Sequence, residues 1–413
     1  MTSTLFVLCN SDNVGKLTID ERRRWVFQYD PVWLKNQNPF PLSIRLPLQE
    51  APFEDDFAKP FFSNLLPEGK VRQLIAAKQG QSATNDFEML AVLGGECAGA
   101  ISTYPAEQPP PKNGNYRELS ESELDDLISE MPRRPLLLAD GKARLSLAGV
   151  QDKLPVFYED KKLFLPEDGA PSSHILKPSM PNFEDTVFNE AFCMKLARSI
   201  GLEVPDIEII FCKKKPIYLV KRYDREGASR SNLKRLHQED FCQALGRYPD
   251  QKYQSEGGPS FSDCFRVVEE FSQRPAVDKK GLISWAVFNF LIGNCDAHAK
   301  NISLLISSEG VHLAPFYDLM STSVYEGLSE KLAMKIGEKY KRRDIFERHW
   351  ETFAQEAGVG TRFVLKIVNE FSKELPSIAK SEAEFFTEHF GGEKTLTKIV
   401  TEIENTAKRF FET

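Results

Sequence analysis

The residue types best suited to chemistry crowd into one polar run, Gly293-Asn294-Cys295-Asp296-Ala297-His298-Ala299-Lys300-Asn301. Asp296 and Asn301 stand in a D-x-x-x-x-N spacing. That offset lets a carboxylate take a proton from an attacking hydroxyl while an amide oxygen holds a metal beside the same phosphate. Further on, Pro315-Phe316-Tyr317-Asp318 supplies a second carboxylate. Upstream, Lys177 closes the short apolar run His174-Ile175-Leu176-Lys177, where a point cation suits phosphate, and Glu190 is an anion able to hold it. Together these groups fit phosphoryl transfer. The plainer alternative is a capped helix, a loop and a hairpin, with Asp318 a turn residue and Lys177 and Glu190 solvated.

These residues need elements to carry them. Apolar spacing predicts short strands at 5–9 and 25–29, a helix at 86–93 stopped by Gly94-Gly95, and a structureless linker at 105–115, which holds four prolines. An acidic stretch at 117–130 reads as a solvated helix. From 133 the pattern becomes hairpins, with strands at 155–158, 162–165, 173–177, 207–212 and 217–222, the marks of an antiparallel sheet. One helix, 186–200, interrupts them and is closed by Gly201. Beyond 238 the chain reads as mostly helical, with one more hairpin at 302–306 and 311–314 and an amphipathic C-terminal helix. The expected fold class is therefore α+β. The expected domains are 1–104, a linker with acidic helix at 105–132, a sheet-rich part at 133–237 and a helical part at 238–413.

Composition narrows the field. The 413 residues carry a formal charge of −7, which argues against a free-standing, non-specific nucleic-acid binder. Seven scattered cysteines without a C-x-x-C pair point to reduced thiols and a cytoplasmic setting. No membrane span or leader is read. Neither G-x-x-x-x-G-K-[ST] nor G-x-G-x-x-G occurs, so any phosphate loop is unorthodox.

The motifs taken in order resemble HipA-type serine/threonine kinase toxins. The resemblance rests on residues 61–69 (FFSNLLPEG), 146–153 (SLAGVQDK), 174–178 (HILKP), 221–225 (KRYDR), 291–301 (LIGNCDAHAKN), 315–318 (PFYD) and 331–334 (KLAM). It implies a bilobal protein-kinase-like fold with a small N-terminal α/β subdomain, using ATP and Mg²⁺. It makes Asp296 the catalytic base, Asn301 and Asp318 the magnesium ligands and Lys177 the phosphate-pairing lysine. Ala148, Gly149, Val150, Gln151, Asp152 and Lys153 match the segment over ATP. Lys221, Arg222 and Tyr223 match the adenine hinge, while His298, Lys300 and Tyr317 match residues near the nucleotide. Ser146 matches the serine such kinases autophosphorylate, a change of about −1.5 to −2 charge that repels a bound triphosphate. The resemblance also implies a helix-turn-helix antitoxin of the HipB kind, operator DNA touched peripherally through that complex, and a translation component such as an aminoacyl-tRNA synthetase as substrate.

Two rival functions stand beside this one: a kinase of the same fold acting on small molecules, and a catalytically idle ATP-binding co-repressor. The basic run Lys339, Lys341, Arg342, Arg343 reads as a solvated face or as phosphate contacts with operator DNA. Lys213-Lys214-Lys215 reads as a solvated turn, and Trp33, Trp285 and Trp350 as packing residues.

Overall fold

Four antiparallel strands open the chain: β1 (Ser3–Cys9), β2 (Asp12–Ile19), β3 (Trp25–Tyr29) and, much later, β4 (Ile101–Pro105), in the order β3-β2-β1-β4. β2 was not anticipated, because its Asp12, Asn13 and Gly15 read as a turn. Val14 and Leu17 are both buried although three residues apart, because the register against β1 shifts at Val14 and resets the alternation of faces. A Cβ at position 15 would run into the Gln28 carbonyl oxygen, so only glycine lets β3 pair there. Phe27, Phe53, Phe61, Phe62, Trp25 and Phe87 fill the space under this sheet. The computed structural model describes residues 3–78, 80, 82–108, 114–131, 151–227 and 229–410.

A second sheet runs β5-β7-β6-β8-β10-β9, with β5 (Asn115–Glu118), β6 (Leu154–Glu159), β7 (Lys162–Glu167), β8 (His174–Pro178), β9 (Ile207–Cys212) and β10 (Lys215–Lys221). The strands of these hairpins are those expected from sequence, within two residues at each end. The 117–130 helix is corrected: residues 115–118 pair with β7, and the helix begins at Glu121. A reciprocal cap decides this, with Ser120 Oγ accepting from Glu123 N and Glu123 Oε2 accepting from Ser120 N. The Lys213–Lys215 turn is not simply solvated. Lys213 and Lys215 both pair with Asp125 of that helix.

The remaining elements are mainly helical. Helix Pro275–Ile292 buries Leu282, Ile283, Trp285, Val287, Phe288, Phe290 and Leu291, so it is apolar nearly all round and forms a core rod. Helices Phe261–Phe271, Thr361–His389 and Glu393–Lys408 pack on it. Trp285 and Trp350 are fully buried, as packing residues should be. The described residues group into two units: 1–178 with 210–249 and 305–310, and 179–209 with 250–304 and 311–413. Among the described residues no helix is long and apolar enough to cross a membrane.

The strand His237–Asp240 carries two buried titratable groups into the interior of the first unit. Burial pulls the His237 imidazole down to about 4 and pushes the Glu239 carboxyl up to about 8. Glu239 is thus neutral in the fold but ionised in the unfolded chain above its ordinary 4.5, so its contribution to stability is present in acid and is lost as pH rises toward 8. Glu239→Gln keeps the shape of the neutral acid. Urea unfolding should show this variant gaining on the wild type from about pH 5 to about pH 8 and holding a level lead above that. A lead that is constant across the range would contradict the burial argument.

Candidate active site

Helix Pro275–Ile292 stops at Gly293, whose φ of +74° and tight approach to the Ser323 side chain exclude a Cβ. The loop that follows is held by a series of hydrogen bonds. Asn294 N donates to Asn289 O (2.9 Å), Asn294 Nδ2 to Asn289 Oδ1 (2.8 Å), and Asp296 N to Asn294 Oδ1 (3.1 Å). Cys295 N donates to Thr322 Oγ1 (2.8 Å), and Thr322 N and Ser323 N donate back to Gly293 O (3.1 and 3.0 Å). From Trp285 to Leu304 every residue is buried except Asp296, which is exposed. One exposed carboxylate on an otherwise buried loop is a candidate for contact with a ligand.

Asn301 Nδ2 donates to the Asp296 carbonyl (3.2 Å), so the amide oxygen is the end left to a metal. Asp318 takes a left-handed φ of +59°, a conformation that costs a non-glycine residue energy and collects at functional sites. Its neighbour Tyr317 donates its phenol to Lys300 O (2.8 Å) and meets Ser303 Oγ at 2.7 Å, which ties the Asp318 segment to the loop carrying Asn301. An amide oxygen and a carboxylate oxygen are hard ligands of the kind Mg²⁺ takes beside substrate phosphates, so this donor set fits the metal.

Asn189 was missed from sequence. It chelates the Ser321 main chain, with Nδ2 donating to Ser321 O and Oδ1 accepting from Ser321 N, both at 2.8 Å. Helix Thr186–Ser199, which carries Glu190, is thereby locked to the stretch after Asp318. Glu190 itself is 2% exposed, and a carboxylate so deeply buried requires a charged or hydrogen-bonding partner. The second unit therefore holds Asp296, His298, Lys300, Asn301, Tyr317, Asp318 and Glu190.

The first unit holds the other candidates. Lys177 is buried on β8, its Nζ 5.8 Å from the Tyr218 ring centroid. Gln151, Asp152 and Lys153 lead into β6 and are half-buried. Ser146, Ala148, Gly149 and Val150 lie outside the described residues. Lys221 is exposed at the end of β10, and the Tyr223 phenol bonds Gln238 Oε1. Arg222 differs from the rest. Its guanidinium is buried and engages Glu96 Oε1 (3.0 Å), both Asp224 oxygens (2.9 and 2.7 Å), Ser172 Oγ (3.0 Å) and Cys97 O (3.0 Å). Any contact of Arg222 with adenine is thus confined to its main chain.

Arg225 and Arg235 complete the cluster, binding Glu96 at 2.8 and 2.5 Å. Burial alone would raise Glu96, but Arg235, Arg225 and Arg222 outweigh it and hold the carboxyl well below the usual range. Three guanidinium ions here face two carboxylates, Glu96 and Asp224. Sequence reading missed Glu96. The only hint was the density of charge in residues 222–225, and no local pattern pairs it with a residue some 126 positions earlier.

Comparison with known proteins identifies the family. Residues 145–379 match the HipA-like C-terminal domain, and residues 5–104 match the HipA N-terminal domain. The chain is 42% identical over 373 residues to the candidate kinase Y4mE of Sinorhizobium fredii, covering 89% of each chain. It is 30% identical over 376 residues to the serine/threonine-protein kinase toxin HipA of Shewanella oneidensis, covering 88% of this chain and 85% of that one. The solved Shewanella oneidensis HipA, in complex with HipB and operator DNA, superimposes with a TM-score of 0.88 at 27% identity, over 99% of this chain and 97% of that one. With both family domains present in order, and that likeness running nearly end to end, this chain belongs to the HipA family of kinase toxins.

Proposed function

We propose that the protein is an ATP- and Mg²⁺-dependent serine/threonine protein kinase, the toxin of a toxin–antitoxin pair. The observation that carries this reading is Asp296: one exposed carboxylate on a buried loop, with Asn301 bonded to its own carbonyl and Asp318 held to the same loop through Tyr317. Asp296 accepts the proton of the acceptor hydroxyl. Asn301 and Asp318 are the groups to hold Mg²⁺, which when bound offsets charge on the phosphates. Lys177 pairs with the α/β-phosphates and Glu190 steadies it. His298 and Lys300 lie near the phosphates, and Lys221, Arg222 and Tyr223 offer main-chain groups to adenine. Gln151, Asp152 and Lys153 continue a segment that covers ATP together with Ala148, Gly149 and Val150.

The partner is a helix-turn-helix antitoxin, by the likeness to HipA of Shewanella oneidensis, which was solved with HipB and operator DNA. DNA is touched peripherally. Lys339, Lys341 and Arg343 are exposed for phosphate contact. Arg342 is not available for this, since it binds Phe290 O, Glu402 and Thr406. The substrate is a translation component such as an aminoacyl-tRNA synthetase, and Ser146 is the autophosphorylation site.

The direct test is intact-mass measurement after incubation with Mg-ATP, where one added phosphate mapping to Ser146 is expected. No mass gain, and no transfer to any protein acceptor, would count against the kinase reading. Lys177→Met should lower kcat/KM for ATP about a hundredfold, as removal of a preorganised charge at a phosphate does. Unaltered ATP kinetics would remove Lys177 from the site.

A further inference from the structure

Tyr253 belongs to none of the motifs, yet its phenol donates to Asp296 Oδ1 at 2.6 Å, within the short range of a hydroxyl bonded to a carboxylate. The segment bearing it is built to hold it there. Glu256 N and Gly258 N both donate to Tyr253 O at 2.9 Å. A Cβ on Gly258 would strike the carbonyl oxygens of Gln251 and Tyr253, so only glycine closes this loop. Gln254 Oε1 accepts from Lys335 N (2.7 Å), which braces the loop against strand Lys331–Ile336. The Tyr253 ring stands edge-on to His298, centroids 5.3 Å apart at 83°. Backbone closure, a cross-brace and a ring contact thus aim one hydroxyl at one carboxylate oxygen.

A general base works only when its accepting atom is held toward the proton, and such bases are commonly oriented by a third group. An exposed aspartate on its own turns freely about its terminal bond. We propose that Tyr253 is the positioning residue of the phosphoryl-transfer site, pinning Oδ1 of Asp296 so that Oδ2 faces the acceptor. This rests on the reading of Asp296 as the base. The acceptor oxygen forms its bond to the γ-phosphorus while the bond from that phosphorus to the β,γ-bridging oxygen breaks. ADP carries away that electron pair, and the acceptor proton passes to Oδ2 and then to solvent.

The test uses the full chain with Mg-ATP alone, following phosphate released to water and phosphate incorporated into the chain. Tyr253→Phe removes one hydroxyl and keeps the ring against His298. It should lower kcat about ten- to a hundredfold while KM for ATP and the thermal midpoint stay within error, since a hydrogen bond to a charged group is worth about that factor. On an Asp296→Asn background the same change should cost nothing further, because there is no carboxylate left to orient. A purely structural tyrosine would instead lower the thermal midpoint and would cost as much in the double variant. An unchanged or raised kcat in Tyr253→Phe, with Asp296→Asn inactive, overturns this proposal and leaves the base assignment intact. Full activity in Asp296→Asn overturns the base assignment and this proposal with it.

Discussion

Asp296→Asn should abolish phosphoryl transfer, by about a hundred- to ten-thousandfold, while ATP still binds. The magnitude is that of losing a positioned general base. The substitution is nearly isosteric, and the loop does not depend on the carboxylate for its shape: its main chain is held by Asn289, Asn294, Thr322 and Asn301. Among the described residues only the Tyr253 contact reaches the side chain. Nucleotide affinity by calorimetry and radiolabel transfer from ATP give the two readouts. If affinity fell in step with transfer, the residue would be structural. If growth arrest or operator repression by this chain were untouched by the change, the catalytically idle co-repressor would be the better description.

Glu96→Gln should destabilise the first unit by about 3–5 kcal/mol, the usual consequence of breaking a buried ion pair from one side. The carboxylate is 2% exposed and serves Arg222, Arg225 and Arg235 at once, so its loss leaves three buried guanidinium ions with Asp224 alone. Against a typical margin of about 5–15 kcal/mol this is severe. Hydrogen exchange in β1 to β4, or protease sensitivity of residues 5–104, would register it. Because arginine stays charged, removing a surplus cation as well, in Glu96→Gln with Arg235→Met, should recover part of the loss. Glu96 and Asp224 both lie below the usual carboxylate range, so their contribution is present above about pH 4 and fades as pH falls through their depressed values. A Glu96→Gln protein as stable as the wild type would show that the cluster matters little. The same cluster joins the two family domains, with Glu96 from the stretch matching the HipA N-terminal domain and the arginines from the stretch matching the C-terminal one. If Lys221–Tyr223 meet the nucleotide as proposed, disturbing it should also weaken ATP binding, because it holds Arg222.

Much of this protein was legible along the chain. The hairpins of the second sheet, the Gly293 stop and the offset between Asp296 and Asn301 all follow from short-range rules of side-chain period, turn chemistry and capping. The seven motifs in order were enough to place the family. Where those rules failed, a distant partner won. β2 looked like a turn until β1 and β3 supplied its hydrogen bonds, and residues 115–118 became a strand because β7 offered an edge.

The functional core divides the same way. Which side chains carry acid, amide and amine is written in residue order, because spacing along a loop controls where its own side chains can point. Which groups hold those side chains is not, because hydrogen-bond and ionic partners are chosen by proximity in space. Tyr253 reaches Asp296 across 43 positions, Asn189 grips Ser321 across 132, and Glu96 meets Arg235 across 139. Only the folded chain brings such pairs within about 3 Å, and for the Asn189 and Glu96 pairs burial strips away water and makes each partner necessary.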